Sequence, residues 1–312
     1  MTINDTALSA ELVAVLVAVT DEQPRVLTTH CARALPAGPL QNSHRSLQNG
    51  LRQWVEEQTH HKLGYVEQLY TFADKGRFYA SGERVISVSY LALTMEGSAT
   101  PETEVGWQDW YRYFPWEDWR AGMPRSLAEV VLPALKQWAA ADPALAHSRW
   151  QRLVYAFGLE GFAWSEDLVL QRYELLYEAG LVAEALREPL STDLPATDPV
   201  YGLSMRYDHR RILATGMARV RAKIKYRPVM FELMPESFTL LQLQKTVEAI
   251  AGRALHKQNF RRLIEQQNLV EETGASTVGT AGRPAKLFRF KGDVIAERAI
   301  AGTTLPLARQ AR

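Results

Sequence analysis

Glu56 and Glu57 are adjacent carboxylates within "LPAGPLQNSHRSLQNGLRQWVEEQT", residues 35–59. Leu47, Leu51, Trp54 and Val55 recur at helical spacing, so the reading predicts a helix over 47–59 with those four on its buried stripe. Gln53, Glu56 and Glu57 then project together from the opposite face. Carboxylates on one helix face, with Arg52 close by, suit a divalent cation on a diphosphate: the metal would activate water and steady the leaving oxygen. Gln53, on the same face, brings no charge to it. Binding needs only a shaped pocket, an arginine and backbone donors. The bland alternative is two solvated acids on an exposed face.

The elements that must carry this helix are strands. "LVAVLVAV" (residues 12–19) is a continuous apolar strand and residues 25–29 a shorter one, while "YVEQLYTF" (65–72) and "VISVSYLAL" (85–93) alternate. The tryptophans of "WQDWYRYFPWEDW" (107–119) could stack bases, but the segment is not basic and reads as core. Residues 125–187 turn helical. "SLAE" at 126–129 is expected to form a capping box, and a second helix is expected from Ser165 through Tyr177, stopped by Gly180. "EPLSTDLPATDP" (188–199) reads as a linker. A long helix follows Asp208 and ends near Pro228, with Leu213, Met217, Val220 and Ile224 buried and Arg210, Arg211, Arg219, Arg221 and Lys223 on the remaining surface.

Charge is unevenly distributed. The formal net charge is +1, yet residues 1–205 hold 16 Lys/Arg against 26 Asp/Glu, and residues 206–298 hold 18 against 9. An acidic body with a basic module points to a polyanionic partner. Cys31 is the single cysteine, which excludes an intramolecular disulfide framework and a multi-cysteine zinc site. The opening residues lack a basic signal-peptide start, and no apolar run is long enough for a membrane span, so the expected setting is cytoplasmic.

The basic module has its own grammar. Thr239 and Gln242 cap a helix that stops at Gly252; a tight turn leads to "LHKQNFRRLIEQQN" (255–268), with Phe260, Leu263 and Ile264 on one face. Gln258, Arg261, Arg262 and Glu265 take the opposite face, with Lys257 and Asn259 beside them. Two short strands joined by a glycine-rich loop follow, carrying Arg283, Lys286 and Arg289. Helix, turn, basic helix and basic hairpin form a winged helix-turn-helix, whose second helix would enter the major groove of double-stranded operator DNA while the wing holds the backbone.

Two segments resemble one family. "GPLQNSHRSLQNGLRQWVEEQT" with "LGYVEQLYTFADKGR" resembles a Nudix fold with a damaged Nudix box. The stretch from "YDHRRILATGMARVRAKIKYRPVM" to "GRPAKLFRF" is similar to the C-terminal part of the Nudix-related transcriptional regulators of NAD metabolism. Gly38, Arg52, Glu56 and Glu57 match the box; His44, Gln53 and Thr59 depart from it, and His44 and Gln53 stand where the family has carboxylates, so with imidazole a poor partner for hard Mg2+ the resemblance implies binding with cleavage slow or lost. The resemblance implies a mixed α+β chain, a Nudix-like α/β/α sandwich with a helical insertion followed by a winged helix. It divides as 8–124 (sensor), 125–200 (insertion and linker), 201–227 (coupling helix), 228–298 (DNA-binding domain) and 299–312 (tail). It implies a homodimeric repressor that senses ADP-ribose or a related NAD-derived nucleotide, with Gly38, Arg52, Glu56, Glu57, Gln68, Tyr70 and Arg77 as ligand-facing residues. No cofactor is required on this reading beyond Mg2+ arriving with the nucleotide, held if anywhere by Glu56 and Glu57. An active ADP-ribose pyrophosphatase with an accessory basic domain is the alternative.

Overall fold

The structure is a computed structural model that describes residues 8–64, 66–74, 83–97, 104–187, 199–226, 231–277 and 284–292. Its centre is β1 (Leu8–Thr20), whose residues from Leu12 to Ala18 are all buried. Such a strand must be covered on both faces, which explains why it lacks polar alternation. On one side β1 pairs in parallel with β5 (Arg84–Leu93) from Leu8↔Arg84 to Val17↔Leu93. On the other side it pairs antiparallel with β2 (Gln23–Thr28) through its C-terminal half and with β3 (Ala37–Pro39) through its N-terminal half. β4 (Val66–Phe72) lies antiparallel outside β5, and β6 (Gly106–Asp109) outside β2. The sheet order is β4-β5-β1-β2-β6.

Period-two alternation divides the cover. Leu12, Ala14, Leu16 and Ala18 pack with Leu51 and Val55 of α1 (Leu47–Thr59). Val13, Val15 and Val17 face a larger core that includes α5 (His209–Tyr226), the helical segment and the C-terminal module. α5 crosses the sheet at Gly216, where an added Cβ would lie 2.9 Å from Val15 Cγ1. The aromatic run is core as expected, with Trp110 and Trp116 fully buried.

The helical segment comprises α2 (Leu132–Ala140), α3 (Ala146–Phe157) and α4 (Val169–Glu178). Two expectations change here. Ser126 has helical backbone angles and makes no capping bond, because the chain already turns at Pro124, whose carbonyl accepts from Leu127 and Ala128, and continues as one π-helical turn into α2. The helix expected from Ser165 begins at Val169; Arg172 fixes the preceding segment instead by donating to the Ser165 carbonyl. Its end is as expected: Gly180 has φ +70°, and Leu181 N–H reaches back to the Leu176 carbonyl. Of the expected linker at 188–199, residues 188–198 lie outside the described residues, and Pro199 opens a short helical turn (Pro199–Tyr201).

α6 (Leu240–Ala251), α7 (Lys257–Gln267), β7 (Val270–Ser276) and β8 (Lys286–Phe290) follow in order. The Thr239–Gln242 capping box forms in both directions. Phe260 and Ile264 are buried, but Leu263 is 38% exposed, so the i, i+4 pair carries the contact with the core. Phe238 adds a backbone bridge to Phe288, and Phe290 packs on Phe231 and Phe238, so the hairpin is anchored on its apolar side.

Candidate nucleotide site and nucleic-acid interface

α1 starts at Ser46, whose side chain accepts from Asn49 N–H, and ends at His60 in the left-handed region. Gln53, Glu56 and Glu57 share its exposed face, where the Gln53 amide donates to Glu57 at 2.8 Å and Lys62 stands 3.7 Å from Glu56. Among the described residues no three acidic, histidine or cysteine side chains converge as a metal set. One carboxylate accepts from an amide and the other neighbours an ammonium, and both are solvent-exposed.

The other residues matching the box have structural partners. Gly38 lies in β3, under Trp54: an added Cβ would stand 2.3 Å from the indole, whose Nε1 donates to the Pro39 carbonyl at 2.9 Å. Arg52 donates to the carbonyls of Leu63 and Gly64 and so fixes the chain leaving the helix. His44 folds back onto the helix, with Nδ1 accepting from Gln41 N–H and its ring 6.2 Å from that of Trp54. Gly50 leaves room for it, since a Cβ there would meet His44 Nδ1 at 2.4 Å. On the edge strand Gln68 and Tyr70 are both exposed, Tyr70 against Phe72, beside a bulge between Gln68 and Thr71. Arg77 lies outside the described residues.

The basic module sorts its cations into two groups. Lys257, Gln258, Asn259, Arg261 and Arg262 are all exposed on α7. Its first turn has no side-chain cap at His256, so its first amide N–H groups lack a side-chain acceptor from the cap residue. On the wing, Arg289 Nε donates to Glu271 at 2.7 Å and Lys286 Nζ to Glu272 at 2.8 Å. Arg283 lies outside the described residues.

A third site was not anticipated. Glu117 is fully buried, and its oxygens accept from Arg172 Nε at 2.6 Å, Arg172 Nη2 at 2.8 Å and Arg221 Nη1 at 2.6 Å. Burial pushes the Glu117 carboxyl up, but the Arg172 and Arg221 guanidiniums outweigh it and hold it below the ordinary range. Arg221 also donates from Nε to the Ile250 carbonyl at 2.9 Å. Tyr111 Oη donates to the Ala249 carbonyl at 2.7 Å, and Trp119 N–H to the Gly252 carbonyl at 2.6 Å. The open carbonyls at the end of α6 are thus capped by the body of the protein, and the negative end of that helix faces a cluster with one surplus positive charge. Gly252 (φ +72°) is required there: a Cβ would lie 2.4 Å from the Glu117 carbonyl and 2.6 Å from Arg221 Nη2.

Arg221 and Arg210 therefore do not decorate the surface of α5 as expected. Arg210 is equally buried, bonded to Glu184 at 3.0 Å and to the Tyr113 carbonyl. The signal was present in the spacing: Arg221 is four residues after Met217 and three before Ile224, on the apolar stripe itself. Part of the positive charge counted for the C-terminal region is spent internally.

Residues 230–290 match the family described as the NrtR DNA-binding winged helix domain. Over 88 residues the chain is 40% identical to the ADPR responsive transcriptional repressor NtrR of Acinetobacter baylyi, a match covering 28% of this chain and 35% of that protein. The chain thus spans about a third of that relative's length. Its fold resembles that of Shewanella oneidensis NrtR in complex with a 27mer DNA (TM-score 0.54, 21% identity, 92% of this chain and 95% of that one). It also resembles a MutT/nudix family protein from Enterococcus faecalis (TM-score 0.52, 17% identity, 93% and 89%). The fold is a Nudix-like domain followed by a winged helix domain.

Proposed function

We propose that this chain is a ligand-responsive transcriptional repressor that binds operator DNA through α7 and senses ADP-ribose, or a related NAD-derived nucleotide, in its Nudix-like domain. The carrying observation is the match of residues 230–290 to a DNA-binding winged helix family, on which α7 presents Lys257, Arg261 and Arg262 exposed. Exposed cations on the second helix of such a module can neutralise phosphate or pair with guanine, and Gln258 and Asn259 can pair with adenine. The nucleotide half of the reading rests on the ADPR responsive repressor that shares 40% identity over 88 residues.

The Nudix-like domain binds without efficient cleavage, because α1 offers Gln53 where a third carboxylate would be needed and because Glu57 accepts from it. Bound to the folded state alone, ADP-ribose at a hundred times its Kd adds about 2.7 kcal/mol of stability, which a thermal-shift panel of NAD, NADH, ADP-ribose, NMN and ATP reads directly. A gel shift on the DNA upstream of its own gene, with and without the stabilising nucleotide, tests the other half. No sequence-selective shift at moderate salt refutes the regulator. Turnover of ADP-ribose near one per second with Mg2+ or Mn2+ refutes the loss of cleavage and favours the pyrophosphatase.

A further inference from the structure

The wing carries as much negative as positive charge in its paired strands. Glu271 on β7 stands directly opposite Arg289 on β8, and their side chains meet at 2.7 Å. Glu272 takes the ammonium of Lys286 on both oxygens, at 2.8 and 3.0 Å. All four side chains are substantially exposed, so each pair is worth little to stability. Its effect on a polyanion is another matter: a phosphate brought to Arg289 or Lys286 also approaches a carboxylate a few ångströms away. The local field is the sum of both signs, whichever hydrogen bond is made at a given moment. α7 differs. Lys257, Arg261 and Arg262 have no hydrogen-bond or ion-pair partner among the described residues, and Glu265 is the carboxylate on that helix.

We infer that the wing strands are charge-compensated, so that Glu271 and Glu272 suppress sequence-independent affinity for duplex DNA and leave α7 to carry the grip. The inference rests on the DNA-binding reading above. Its physical content is the affinity for duplex of any sequence. Non-specific binding is almost wholly counterion release, so every uncompensated cation raises it without regard to sequence. A genome offers a vast excess of wrong sites, so the sequence-independent grip sets how much of the protein is held away from the right one. Cancelling two wing cations lowers binding to wrong sites while leaving base contacts on α7 untouched.

The test uses the full chain and a random-sequence 30-base-pair duplex, with affinity measured by fluorescence anisotropy over a salt series. Each phosphate neutralised contributes a slope of about −0.9 in log K against log salt. The double variant Glu271→Gln/Glu272→Gln is expected to steepen that slope by about 1.8 and to bind random DNA roughly 10–30-fold tighter near 0.15 M salt. The reciprocal variant Lys286→Gln/Arg289→Gln is expected to leave the slope unchanged. A parent that binds the duplex while the glutamine variant keeps its slope overturns the inference alone. So does a reciprocal variant whose slope becomes shallower by about 1.8, because the wing cations would then already grip phosphate. A parent that binds no duplex at any salt overturns the proposed function and this inference together.

Discussion

Replacing Glu117 with glutamine keeps size and shape and removes one charge from a site where it cannot be replaced by water. Glu117, Arg172 and Arg221 all have fully buried side chains, and the carboxylate accepts three guanidinium hydrogen bonds of 2.6–2.8 Å. The amide retains one acceptor, turns a donor toward a donor, and leaves two guanidiniums without a counter-charge. Breaking a buried pair by removing one partner costs about 3–5 kcal/mol. That is a large part of the total stability of about 5–15 kcal/mol expected of a folded protein. At about 2–4 °C per kcal/mol for a sizeable domain, Tm should fall by roughly 6–20 °C in a calorimetric scan at pH 7. The pH dependence sharpens the test. The folded carboxyl is held below its ordinary value, so its contribution is complete above the unfolded value, near 4.5, and is lost as pH falls through the folded one. The gap between parent and variant should therefore be constant from pH 7 to about 5 and close only on further acidification. A Tm loss under about 2 °C, or a gap that closes already between pH 7 and 6, would refute the reasoning.

Other consequences are more local. Gly252→Ala places a Cβ against the Glu117 carbonyl at a residue with φ +72°, so the urea midpoint should drop by an amount equivalent to more than about 1 kcal/mol; an unchanged midpoint refutes the close approach. His61 is partly buried against Trp107 and bonded to Thr94, and burial lowers its pKa below 6.5; its contribution is present above that value and lost as pH falls, so His61→Gln should flatten stability below about pH 6.5. Arg261→Ala or Arg262→Ala should either relax base preference at one operator position or weaken all sites alike with a salt slope shallower by about 0.9; a variant that does neither removes that residue from the interface.

How much of this was legible in the sequence follows from what each pattern depends on. α1 could be bounded because four apolar residues at helical spacing fix it locally, and the C-terminal module because its capping box and Gly252 are short-range signals. Ser126 misled because the same "SLAE" letters lie inside a turn begun at Pro124. The charge count gave the right module, but it counted Arg221 and Arg210 as surface when long-range carboxylates, Glu117 and Glu184, draw them inside. No local rule reveals a partner 104 positions away. The box residues show the converse limit: the letters Gly38 and Arg52 are those of a ligand site, while their contacts here are an indole and two carbonyls.

The same contacts give the proposed switch a mechanical route. A nucleotide alters DNA binding only if it binds two arrangements with different affinity. β4 exposes Gln68 on the face shared with Val66, while its neighbour Glu67 is buried on the other face and bonded to Lys223, with Arg219 at 3.8 Å. Both cations belong to α5, which carries Arg221 to the end of α6. A shift of β4 thus acts on the helix that caps the reader. Glu67→Gln should weaken that link without touching the α1 face. If so, the nucleotide's Kd in the absence of DNA should stay within about twofold, while the ratio of DNA affinities with and without nucleotide moves toward one; a typical coupling is about 5–150-fold. The coupling is reciprocal, so DNA must lose its effect on nucleotide affinity by the same factor. A Glu67→Gln protein that keeps the full ratio would place the communication elsewhere than in β4 and α5.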